Sequence, residues 1–154
     1  MESWRRVWRE GIAPLLSTAG LEALRNALAT NDPRLVQGET VVPFLPDCFL
    51  ERNWPVDSAC ALSFCGWQGD GLKTVGEVEE FFGHICSDID YAIQEAAGCR
   101  HFLHWFDDTP RDEMRKQLLP EVDLALATSE AAKQRESEES QAMADLQEPA
   151  LATV

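Results

Sequence analysis

Apolar residues recur at helical spacing in five stretches of the chain, and between the second and third the periodicity disappears. The first stretch covers residues 2–10, where Trp4, Val7 and Trp8 fall on one face and Arg5, Arg6 and Arg9 on others. Gly11 and Pro14 are expected to end that helix. Two tryptophans on a short amphipathic helix predict packing against the core. Use as an interfacial anchor is disfavoured by its length and by Glu2 and Glu10. The second stretch opens at Ser17 or Thr18, either of which can cap a helix. It carries the stripe Leu21, Leu24, Ala27 and Leu28 and is punctuated by Asn31-Asp32-Pro33.

The third stretch, 75–97, has the strongest pattern. Thr74-Val75-Gly76-Glu77 has the form of a capping box. Val75, Val78, Phe82, Ile85, Ile89, Ala92 and Ala96 then follow in steps of three and four, with Phe81 and Ile93 widening the stripe. Gly98 suits the left-handed position after such a helix. A short aromatic helix over 99–106 comes next, with Phe102, Leu103, Trp105 and Phe106. The last periodic stretch starts around Asp108 to Pro110 and buries Met114, Leu118, Val122 and Ala125, with a kink or break expected at Leu119 because Pro120 follows.

Residues 31–73 lack either period. Pro33, Pro43, Pro46 and Pro55 are spread through them, with Gly38, Gly66, Gly69 and Gly71. Two runs, Glu39 to Phe44 and Ala59 to Cys65, are compatible with short extended segments pairing as a small hairpin. A connection this long is uncommon in a compact domain unless it serves a function. The expected architecture is mainly α: one compact domain over 1–127, four to five helices around one core, a Pro/Gly-rich central segment, and room for a short β-hairpin. Residues 128–154 are rich in Ser, Glu, Gln and Ala, contain no aromatic residue, and read as a disordered acidic tail with transient helix.

Charge narrows the range of functions. The chain carries 13 basic and 27 acidic residues, a net charge of -14. The tail holds only two of the basic residues and six of the acids, so the folded part is itself acidic. Lysine is confined to Lys73, Lys116 and Lys133. Phosphate backbones and anionic membranes need clustered cations, so no nucleic acid and no membrane are expected as partners. Between residues 75 and 97 there are six acids and no Lys or Arg, which predicts a basic group opposite that helix. Arg5, Arg6, Arg9 and Arg100 are the internal candidates, and a protein partner with a basic surface is the external one. The cysteines, Cys48, Cys60, Cys65, Cys86 and Cys99, are odd in number, and the N-terminus lacks the apolar stretch of a signal peptide. Reduced thiols and a cytoplasmic location are expected.

No motif names a reaction. Gly66 to Thr74 resembles a phosphate-binding loop, but Leu72 separates Gly71 from Lys73 and shifts the lysine off the required position. A turn built by three glycines, with Thr74 as helix cap, is the simpler reading. His101, His104 and Asp108 fall three and four residues apart and form a partial set of zinc ligands; Cys60, Cys65, His84, Cys86 and Cys99 extend it without a Cys-x-x-Cys pair. The alternative is that both histidines edge the aromatic cluster. A nucleophilic thiol at Cys60, Cys65 or Cys99 with a histidine base is a third arrangement, opposed by the surrounding negative charge. By elimination the sequence predicts a small acidic protein-interaction or regulatory module without catalytic activity of its own and with no cofactor. Trp54, Trp67 and Asp70, in the irregular segment, are its candidate contact residues. A Cys/His metal-binding protein with structural or catalytic zinc is the alternative, followed by a small enzyme with its site in the 54–73 loop.

Overall fold

The computed structural model describes residues 1–147. Its elements are α1 (Ser3–Val7), α2 (Thr18–Thr30), β1 (Val41–Val42), β2 (Ser58–Ala59), α3 (Ala61–Phe64), α4 (Val75–Ile93), α5 (Arg100–Asp108) and α6 (Arg111–Gln147). The mainly α expectation holds, with one two-stranded antiparallel sheet in which Val41 faces Ala59 and Val42 faces Ser58.

α1 does not stop at Gly11. It runs on through a wide π turn, Trp8–Ile12, and a tight 3-10 turn, Ala13–Leu15. Pro14 stands in the first two positions of that 3-10 turn. Gly11 is needed for contact rather than for termination: a Cβ there would stand 2.8 Å from Ile93 Cγ2 and 3.1 Å from Ile89 Cγ2. Trp4 stacks on Trp105 at 3.6 Å between ring centroids and 6° between planes, which fastens α1 to α5. Trp8, Phe102 and Phe106 are fully buried behind that pair.

α2 forms as its sequence predicts. Ser17 Oγ accepts from the Gly20 amide at 2.9 Å, the stripe from Leu21 to Leu28 is buried, and Asn31 ends the helix in the left-handed conformation, with φ of 55°. The helix lies between α6 and the π turn Cys65–Gly69 that continues α3. That turn corrects two expectations. Only Ser58–Ala59 pairs with β1, and the chain turns helical at Ala61, where the Phe64 amide donates to the Cys60 carbonyl at 2.8 Å. Ala61, Leu62, Ser63 and Phe64 are all buried, so no period of either kind marks the switch. Nor do three glycines build one turn. Gly71 has φ of +82°, but Gly66 and Gly69 are helical positions of close approach: an added Cβ at Gly69 would overlap the backbone of Gly20.

α4 carries the predicted capping box, with Glu77 N donating to Thr74 Oγ1 at 3.2 Å and Thr74 N donating to Glu77 Oε1 at 3.2 Å. Val75, Val78, Ile85 and Ile89 are buried, and Phe81 and Phe82 are half-buried. The seven-residue repeat then fails: Ala92 is exposed, Ile93 takes the inner position, and the helix ends there with Gln94 left-handed. Gly98 is therefore not the terminating residue; it is buried against Ile93 and Glu95. α6 buries Met114, Leu118 and Val122 and continues past Pro120 without a break at Leu119. It also continues through the stretch expected to be a disordered acidic tail with transient helix, as far as Gln147; from residue 133 to 146 every residue is exposed. Ala, Glu, Gln and Lys are strong helix formers, which accounts for helix there without packing. Residues 148–154, the remainder of that expected tail, lie outside the described residues.

Candidate functional site

The chain from Pro43 to Asp57 leaves β1 and returns to β2 without regular structure of its own. Its ends are closed by the strand pair and by the Asp57 amide, which donates to the Val42 carbonyl at 2.8 Å. Leu45 and Val56 point inward and are buried, and Pro43, Pro46 and Pro55 restrict the backbone between them. The Phe49 amide donates to the Pro46 carbonyl at 3.0 Å, closing one turn.

Arg52 fastens the middle of this loop to α4. Its guanidinium donates to Glu79 Oε1 at 2.6 Å and 3.2 Å, and to the carbonyls of Leu45 and Pro46 at 2.9 Å and 3.0 Å. The Arg52 carbonyl accepts from the Gly76 amide and the Trp54 carbonyl from the Val75 amide, each at 2.8 Å. These are two of the free N–H groups at the start of α4. A Cβ at Gly76 would stand 3.1 Å from both Arg52 Cβ and Arg52 O, so a larger residue there would press against the loop.

What the loop presents outward is apolar. Leu50 is 98 % exposed, Phe44 75 %, Trp54 51 % and Phe49 45 %. Of the other large exposed apolar side chains of the described residues, Met1, Leu15 and Tyr91 stand on separate parts of the chain, and Leu124, Met143 and Leu146 are spread along α6. Single exposed apolar residues are ordinary on a protein surface, whereas four on one anchored loop single it out as the candidate site.

The remaining predicted residues occupy other surroundings. Trp67 is half-buried, edge-on to Phe64 at 5.8 Å and beneath the Arg34 guanidinium at 5.6 Å. Asp70 accepts a hydrogen bond from the Ser17 hydroxyl at the start of α2. His101 Nε2 lies 2.8 Å from Glu95 Oε1; the adjacent Arg6 also reaches Glu95, and the two hold its carboxyl below the usual range. His104 and Asp108 share α5 with His101, but among the described residues no group of three or more His, Cys, Asp or Glu is arranged to hold a metal ion. Burial pushes the thiols of Cys60, Cys65, Cys86 and Cys99 up, away from the thiolate form. The hydrogen bonds that Cys60 and Cys65 donate go to Ser63 Oγ and the Ala61 carbonyl, not to a histidine. Cys48, on the apolar loop, is exposed.

A concavity of about 440 Å³ lies between the Ala13–Leu15 turn and α6. Pro14, Leu16, Leu124 and Ala125 line it, and Arg9 and Glu121 stand at one side. Glu121 is engaged by Arg9 at 2.8 Å and 2.9 Å and by Arg5 at 3.0 Å, so its charges serve the fold.

Of the contact residues read from sequence, Trp54 belongs to the exposed loop. Phe44, Phe49, Leu50 and the fastening Arg52 escaped that reading. Their signal was an apolar cluster that fits neither period and is bracketed by Pro43 and Pro55. No family model matches the chain, and no curated protein and no solved structure matches it either.

Proposed function

We propose that this chain is a protein-interaction module without catalytic activity of its own, and that it docks a protein partner through Phe44, Phe49, Leu50 and Trp54. The observation that carries this reading is the display of four large apolar side chains on one loop whose backbone is pinned to α4 by Arg52. Holding such side chains in water is unfavourable, and burying one of them fully is worth about 1.5–3 kcal/mol. A loop already ordered before contact loses little entropy on binding, so more of that gain appears as affinity. Trp54 suits the role of anchor, since tryptophan is enriched among the residues that dominate binding energy. Trp67 and Asp70 support the fold around α2 rather than the contact.

The test is capture of partners from the native host with the full chain, comparing wild type, Leu50→Ser/Trp54→Ser and Tyr91→Ser. Tyr91 is 80 % exposed on α4 and serves as an apolar control away from the loop. A stoichiometric protein should accompany wild type and Tyr91→Ser and be lost from the loop variant while its thermal midpoint is unchanged. Equal recovery by all three, or no stoichiometric partner for any, overturns the proposal.

A further inference from the structure

The acids of α4 were the sequence's reason to expect a basic partner, and the fold consumes most of them internally. Glu77 closes the capping box, and Glu79 is held by Arg52. Asp90 accepts from the amides of Ala97 and Cys99, at 3.0 Å and 2.9 Å, and Glu95, just past the helix, is held by Arg6 and His101. Glu80 and Asp88 are left on the exposed side of the helix. The helix therefore offers a partner little unmatched charge.

The loop is different. Between residues 38 and 72 the chain carries five acids, Glu39, Asp47, Glu51, Asp57 and Asp70, and a single cation, Arg52. That cation is spent on Glu79 and two carbonyls. Asp47 and Glu51 are exposed and alternate along the chain with Phe44, Phe49, Leu50 and Trp54. Lys73, which is exposed, lies beside the C-terminal end of the loop, where the Val56 amide donates to its carbonyl. Apolar anchors interleaved with carboxylates match a segment whose own apolar residues are flanked by Lys or Arg. The same arrangement argues against the other occupants. An anionic bilayer would repel Asp47 and Glu51, and a second copy would bring like charges together on a chain of net charge -14.

We infer that the loop's partner is a basic amphipathic protein segment, with large apolar side chains seated on Phe44, Phe49, Leu50 and Trp54 and Lys or Arg side chains over Asp47 and Glu51. This rests on the docking role proposed above and adds the chemistry of what is docked.

Two labelled model peptides of equal length test it, one a Leu/Lys amphipathic helix and the other its Leu/Glu counterpart. Each is titrated against the full chain by fluorescence anisotropy at about 0.15 M salt, where long-range attraction is screened. The Leu/Lys peptide should bind at least about tenfold more tightly than Leu/Glu, and should lose about tenfold with Leu50→Ser/Trp54→Ser. Asp47→Asn/Glu51→Gln should weaken it by about threefold to tenfold, while removing the same charge from α4, in Glu80→Gln/Asp88→Asn, should leave it within about twofold. If binding needs Leu50 and Trp54 but is indifferent to Asp47 and Glu51, the charge inference fails and the docking role stands. If it is indifferent to both pairs, both readings fail; equal binding of the two peptides that still needs Leu50 and Trp54 overturns the charge inference alone. Concentration-dependent self-association abolished by Leu50→Ser would identify a second copy as the occupant and overturn the inference.

Discussion

A carboxylate that is 6 % exposed is tolerated in a core only when its charge is matched, and Glu121 has Arg5 and Arg9 on its oxygens. Replacing it by Gln leaves two guanidiniums facing a neutral amide. Because both arginines are partly exposed, the expected loss is about 2–3 kcal/mol, below the full range for a broken buried pair. Arg9, then Arg5, hold the Glu121 carboxyl below its usual value. Its contribution is therefore complete above the ordinary carboxylate pKa and is lost as pH falls through the lowered folded value. Urea unfolding followed between about pH 6 and 3 should show a steeper loss of stability for wild type than for Glu121→Gln. Parallel curves would contradict the pairing. Ala97 makes a complementary case. It sits at φ of 57°, a conformation costly for a residue with a Cβ, while its amide donates to Asp90. Ala97→Gly keeps that hydrogen bond and relieves the strain. It should raise stability by about 0.5–1 kcal/mol after the entropic cost of glycine, measured by the urea midpoint. A destabilised variant would show that the strain is absent.

Among the elements, those that form from local signals were legible in the sequence. Ser17 and Thr74 cap α2 and α4 where expected, and the buried stripes of α2, α4 and α6 begin at the residues that their periodicity indicates. Errors fell where tertiary contact decides. Gly11, Gly66, Gly69 and Gly98 all carry the local signature of a break, yet the first three mark places where another element comes too close for a side chain, and Gly98 is crowded by Ile93 and Glu95 just before it. A single sequence does not distinguish these uses, because both require only the missing Cβ. The two π turns follow the same logic, since each places glycine against a neighbouring helix: Gly11 against α4, Gly69 against α2. Gly69→Ala should therefore cost about 3 kcal/mol, because its Cβ would meet the backbone of Gly20 rather than a movable side chain. Gly83→Ala, on α4 with nothing within 4 Å of the new Cβ, should instead stabilise by up to about 1 kcal/mol. Chemical denaturation of the two variants reads both signs; equal effects would contradict the packing account.

For the whole molecule, the helices build a core that leaves one irregular segment facing outward with apolar side chains. That segment was visible in the sequence as a long unpatterned stretch, and Trp54 was picked from it. Trp67 was picked with it because exposure cannot be read from residue type: the two tryptophans lie 13 positions apart, one half-exposed on the loop and one against Phe64. Of the internal cations expected opposite the acids of 75–97, Arg6 does hold Glu95; Arg52, which holds Glu79, was not among them, and two backbone amides donate to Asp90. The account is tested most directly by hydrogen exchange of the full chain, read by mass spectrometry with and without its captured partner. New protection should fall on residues 44–54 and leave the exposed face of α4 and the concavity beside Pro14 and Leu124 unchanged. Protection confined to either of those surfaces, with the loop exchanging as in the free chain, would contradict the docking role.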